Sequence, residues 1–296
     1  MSKYFNKTVT DSHYIYQYAD VSEFMKAACS RTAANKDNGS DCKTYWTNRD
    51  YSNKWVGDLD NRNGARDETE YSFETIKTKI TTGWTHGVEL IFNALNSDRI
   101  RTVGDADSIK RTRKRGDQGD ELDIHAIYRG DLERAWTQVI RTARPSISNF
   151  RFTVDSIACG GESVESMIWR GAVAVKLADM LGVAGYGVEV GSGFTTKIDS
   201  ESNRRHTVRI VTKPFGVNVS LPDLAATTAM PGFFRAIGHN WLSYGVQERH
   251  HHHSGVTVIN YDPIYDDEIV IGQNIDSQEE AVAFIEKIIN KINAAR

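Results

Sequence analysis

Five basic side chains fall within six positions, Lys110, Arg111, Arg113, Lys114 and Arg115, and acidic groups follow at Asp117, Asp120, Glu121 and Asp123, with His125 beyond them. Carboxylates beside a histidine are the donor types of a metal-dependent hydrolase or nuclease. This spacing, however, fits no ligand template. Opposite charge blocks side by side also make a solvated, salt-bridged loop or two halves of an interface. Folding these charges into a pocket would desolvate several like charges together, at several kcal/mol per ion unless metals or partners compensate. At a surface they cost little and set orientation and association rate. Arg111, Arg113, Lys114, Arg115, Asp120 and Asp123 are therefore read as binding residues of a charged interface, for a protein partner or a sister subunit. A hydrolase or nuclease built on Asp117–His125 is the alternative.

Other candidates carry less. Tyr45, Trp46, Tyr51 and Trp55 are interleaved with Lys43, Arg49 and Lys54 in polar sequence. Such aromatics stack on nucleobases, anchor a partner protein, or pack back on their own chain; Trp46 and Trp55 join the expected interface. Cys159-Gly-Gly-Glu-Ser163 has neither the Gly-Lys-Ser/Thr of a phosphate loop nor a GxGxxG pattern, and reads as a tight turn with Ser163 as helix cap. His250–His253 are consecutive and lack the i, i+4 spacing of a helical zinc pair. Gly191-Ser192-Gly193 lacks nucleophile-elbow spacing. No catalytic residue, metal or cofactor is expected.

The elements that must position these residues sit in a chain of 296 residues, 40% hydrophobic and 25% charged, with a formal net charge of -3. That is globular composition, and its balance speaks against a wholly basic nucleic-acid binder, although one basic block can touch phosphates. Three cysteines without paired spacing exclude a disulfide scaffold. No apolar run reaches the ~18 residues of a membrane span, and no signal-peptide core follows Met1. The expectation is a cytoplasmic protein without membrane contact.

Residues 1–145 read as a helical, loop-rich region. Asp20–Glu23 forms a capping box, and Trp84, Val88, Ile91 and Leu95 recur at helical spacing. Leu132, Ala135, Trp136, Val139 and Ile140 do the same before Pro145, and residues 31–72 read as a long loop. Residues 146–296 alternate strands with helices: a strand at Phe150–Asp155, a buried helix from Ser163, strands at Tyr186–Phe194 and His206–Phe215, a helix broken at Pro231, short strands at Val256–Tyr261 and Glu268–Ile271, and a last helix after the capping box Ser277–Glu280. This predicts a layered α/β domain with a mixed, Rossmann-like sheet.

In the second half the strand Arg151–Asp155, the helix Trp169–Leu181, the strand Tyr186–Val190 and Val208–Pro214 with its following helix resemble a von Willebrand factor A-type domain. The Trp169-Arg-Gly-Ala helix, Gly83-Trp84 and Gly119–Asp123 also resemble an uncharacterised bacteriophage and prophage family. The first resemblance implies a protein-binding platform, and the second a phage-related protein, in the host cytoplasm or the virion. A-type domains often hold a divalent cation through Asp-x-Ser-x-Ser after the first strand. Here the stretch is Asp155-Ser-Ile157-Ala-Cys159, so Asp155 is the sole match, and the expectation is a platform that lacks the metal.

Overall fold

The computed structural model describes residues 6–10, 13–34, 73–95, 100, 103, 109–116, 121–143, 149–157, 163–197, 205–218, 220–245, 257–272 and 274–294. The fold is mixed α/β. Its main sheet has seven strands: β1 (Asn6–Thr10), β2 (His13–Tyr18), β6 (Asn149–Asp155), β7 (Gly187–Lys197), β8 (Arg205–Lys213), β9 (Thr257–Ile259) and β10 (Glu268–Ile271). The spatial order is β1-β2-β8-β7-β6-β10, with β9 against β7. β6 runs parallel to β7 and β10, β2 runs parallel to β8, and the pairs β1–β2, β7–β8 and β7–β9 are antiparallel. This sheet takes strands from both sides of residue 145.

Alternation divides the sheet into two unlike faces. One holds Phe152 and Val154 of β6, Val188, Val190 and Phe194 of β7, Val208 and Ile210 of β8, and Tyr16 and Tyr18 of β2, all buried. Helices cover this face. α1 (Val21–Ala34) packs on β2 and β8, and α5 (Val164–Val183) on β6, β7 and β10. α6 (Leu221–Thr228) follows β8, and a π-helical turn (Phe233–Gly238) leads from it into α7 (His239–Gly245). Phe194 meets Phe234 edge-on at 5.2 Å, and the Trp241 indole donates to Tyr18 Oη at 2.6 Å. α2 (Phe73–Thr82) and α3 (Thr85–Ala94) lie on α6, and α8 (Gln278–Ala294) lies on α5.

Local chemistry accounts for the helix starts. Asp20 Oδ1 accepts from Glu23 N at 2.7 Å, Ser163 Oγ from Ser166 N at 3.1 Å and Ser277 Oγ from Glu280 N at 3.3 Å. α5 is buried on nearly every side, and Gly171 lets it touch α6: a Cβ there would lie 2.2 Å from Ala229 Cα.

A separate sheet of three strands has the order β3-β5-β4, from β3 (Ile109–Gly116), β4 (Glu121–Leu122) and β5 (Trp136–Ala143). α4 (Ile124–Tyr128) and a 3-10 turn (Leu132–Arg134) link β4 to β5. Two expectations change here. The span Leu132–Ile140 is a turn and a strand, not a helix: Thr137, Val139 and Ile140 suit a strand, and β3 supplies the partner. Among the described residues up to 145, five strands stand beside four helices, so this region is helical in part and also supplies strands. The loop expected at 31–72 overlaps α1 at its start, and from residue 35 it lies outside the described residues.

Candidate functional site

The basic run forms an edge strand. In the backbone register Arg111 pairs with Arg141 of β5, Arg113 with Val139 and Arg115 with Thr137. Lys114 pairs with Gln138. Adjacent arginines along β3 are therefore about 6.8 Å apart in rise. Arg115 Nη2 pairs with Asp123 Oδ2 at 3.2 Å, so the sequence-expected opposition of charge is present at one contact. Asp123 also caps α4, accepting from His125 N at 3.0 Å and Ala126 N at 3.2 Å. The Ala126 amide leads, with Arg115 and the His125 amide assisting, in holding this carboxyl below the ordinary Asp value. An N-cap carboxylate so engaged is badly placed to move protons.

Next to these charges α4 exposes apolar surface. Ile124, Ile127 and Tyr128 of this helix are 58%, 38% and 85% exposed, and Leu122 at the end of β4 adds 43%. Asp117, Asp120, Trp46, Trp55 and His250–His253 lie outside the described residues. Among the described residues no three His, Cys, Asp or Glu side chains converge on a point that could hold a metal ion, and no helix is long and apolar enough to cross a membrane.

Asp155 ends β6 inside the protein at 1% exposure. Its Oδ2 accepts from Tyr261 N at 3.0 Å and its Oδ1 from Ile157 N at 3.2 Å. Arg170 Nη1 donates to the carbonyls of Asp155 and Ile157 at 2.9 and 3.2 Å. Burial pushes the carboxyl up to about 6, against the Tyr261 amide, Arg170 and the Ile157 amide, which favour the charged form. Oδ2 thus ties the end of β6 to the segment after β9, while Oδ1 closes a local turn. The donor set does not suit a hard cation, because Ile157 buries an alkyl side chain where the A-type motif places an oxygen.

Sequence reasoning missed a polar cluster on the second face of the main sheet. Register puts Arg151 and Thr153 of β6, Glu189 of β7, Arg209 of β8 and Glu268 of β10 there. Arg209, 1% exposed, donates from Nε to Glu268 Oε1 at 2.7 Å and from Nη2 to Glu189 Oε1 at 2.8 Å. Arg151 Nε reaches the same Glu189 oxygen at 2.8 Å, and Thr153 Oγ1 also donates to Glu268. Tyr265 lays its ring 3.9 Å from the Arg151 guanidinium carbon. Burial, then the charge of Glu268, raises the Tyr261 phenol above its ordinary value and keeps it protonated. Every charge here has a partner, as a structural brace requires. The sequence signal was available but faint: these residues alternate with apolar neighbours along their strands.

The profile of a family described as a domain of unknown function, DUF7192, matches residues 5–296, and the chain belongs to that family. No curated protein and no solved structure matches the chain.

Proposed function

We propose that this member of DUF7192 is a non-enzymatic binding or assembly protein, phage-related as the resemblance implies, whose contact surface is the β3-β5-β4 sheet together with α4. The observation that carries this reading is the exposed apolar group Leu122, Ile124, Ile127 and Tyr128 beside the arginine-bearing sheet. Apolar side chains grouped in this way mark interaction sites. An aromatic centre with charged residues around it is the usual anatomy of a protein interface. The partner is a protein or a second copy of this chain, and the arginines steer its approach. The seven-stranded half serves as an A-type-like platform. This part of the reading is supported by the sequence β6-α5-β7-β8, by the spatial order β8-β7-β6-β10 with only β7–β8 antiparallel, and by Asp155 at the end of β6.

The test is sedimentation of the full chain, alone and with a partner candidate, at two ionic strengths. Association should weaken as the Debye length falls from ~30 Å at 0.01 M to ~8 Å at 0.15 M. Replacing Arg113, Lys114 and Arg115 with Ser should weaken it in the same way. The pair Ile124→Asp and Tyr128→Asp should abolish it while moving stability by no more than about 0.5 kcal/mol. The contrary result is a metal-dependent hydrolase or nuclease activity that disappears in Asp120→Asn and Asp123→Asn.

A further inference from the structure

The pairing of β8 with β7 slips at one point. Residues from Arg205 to Val211 pair one for one with Lys197 back to Gly191, but Val190 then meets Lys213. Thr212 is the extra residue of a β-bulge, and its Oγ1 donates to Val190 O at 2.9 Å. Strict alternation would put Lys213 on the polar face with Arg209. The bulge moves it to the face of Val190, the one that α5 covers. A one-residue irregularity thus carries an ammonium group into the apolar layer.

Lys213 is 7% exposed there. Its Nζ donates to Val188 O at 2.5 Å and to Pro214 O at 3.4 Å, so the hydrogen bonds it makes are to neutral carbonyls. Among the described residues no carboxylate lies within ion-pair distance of it; Glu189, on the other face, is engaged by Arg151 and Arg209. Burial lowers the pKa of this ammonium, with Glu189 opposing. Lys213 also lines a cavity of about 510 Å³ between the end of α5 and the segment after β8. That volume falls in the range of small-molecule sites, roughly 300–1,000 Å³. Tyr186, Leu221, Val183 and Val217 give the walls apolar surface, and Val183 and Val217 are 84% and 54% exposed.

We propose that this cavity is a binding site for a small organic monoanion, a carboxylate carrying an apolar or aromatic body, with the carboxylate paired to Lys213 and the body against Val183, Tyr186 and Val217. Asp179 also lines the cavity, and its carboxylate repels a dianion such as phosphate more strongly than a monoanion. The site is separate from the β3-β5-β4 sheet, so either reading can fail without the other.

The test titrates the full chain with 4-phenylbutyrate by calorimetry. The expected result is saturable binding that weakens roughly tenfold or more with 4-phenylbutanol, which keeps the body and lacks the charge, and with inorganic phosphate. Lys213→Met and Val183→Asp should each weaken 4-phenylbutyrate to a similar degree. Val183 sits at the exposed end of its helix, so Val183→Asp keeps the test decisive where Lys213→Met fails to fold. The proposal is overturned by absence of saturable binding at millimolar ligand, by equal affinity for the alcohol, or by a Val183→Asp variant that binds as tightly as the parent.

Discussion

Replacing Asp155 with Asn removes a buried carboxyl whose ionisation works against the fold. In the folded state burial raises this group from 3.8 to about 6, whereas an unfolded chain leaves it near the ordinary value. The folded state therefore holds the proton more tightly, and the associated stability is fully present below the unfolded value and is lost as pH rises through the folded one. The whole displacement is worth about 3 kcal/mol, of which roughly 1.3 kcal/mol is regained on going from pH 7 to pH 5. Asn cannot titrate. It also turns an amide N–H toward the backbone N–H of either Tyr261 or Ile157, a fixed cost of about 1–3 kcal/mol at every pH. Urea unfolding of both proteins at pH 5, 6, 7 and 8 separates the two effects. The stability gap in favour of the parent should widen by about 1.3 kcal/mol between pH 7 and pH 5. A gap that stays constant, or that widens toward alkaline pH, would mean that the Tyr261 and Ile157 amides outweigh burial, and the reasoning would be refuted.

Three further outcomes follow from packing and charge. Gly171→Ala should lower the urea midpoint by the equivalent of about 1–3 kcal/mol or more, because the added methyl meets Ala229 Cα at 2.2 Å and the Thr228 carbonyl at 2.3 Å. Gly182→Ala, in the same helix with nothing within 4 Å of its added methyl, should instead stabilise by roughly 0.5–1 kcal/mol. Arg209→Met should cost about 3–5 kcal/mol by leaving the buried Glu268 without its cation, and adding Glu268→Gln should recover part of that loss in the same unfolding assay.

Much of the second half was legible because its apolar spacing is unambiguous. The helix capped at Ser163 and the strand ending at Asp155 stand where periodicity placed them. In the first half two opposing signals went astray. Leu132, Trp136, Val139 and Ile140 fit a helical stripe, yet the pairing of Trp136–Ala143 with Ile109–Gly116 decides the conformation, and that partner lies upstream beyond any local window. The reverse holds for His13–Tyr18, where Tyr14, Tyr16 and Tyr18 alternate at the period of the strand that forms there. The charge blocks were legible as residue types but not as geometry: only register pairs Arg111 with Arg141.

Charges buried between strands obey a rule that sequence alone cannot apply, because it needs the register of each pair. Arg209 and Glu268 are 59 residues apart, and they meet because β6 and β7 separate their strands by the right number of rows and keep both on one face. Lys213 lies four residues beyond Arg209, and regular alternation would bring it to that same face and the same acidic neighbours. The bulge at Thr212 reverses its side, away from the carboxylates of Glu189 and Glu268 and toward a layer of alkyl groups. An ammonium left on the polar face would have partners ready at little cost, whereas one turned inward loses hydration for two carbonyl contacts. A binding site that uses Lys213 accounts for that cost: an anion entering the cavity supplies the opposite charge that the protein places on the other side of its own sheet.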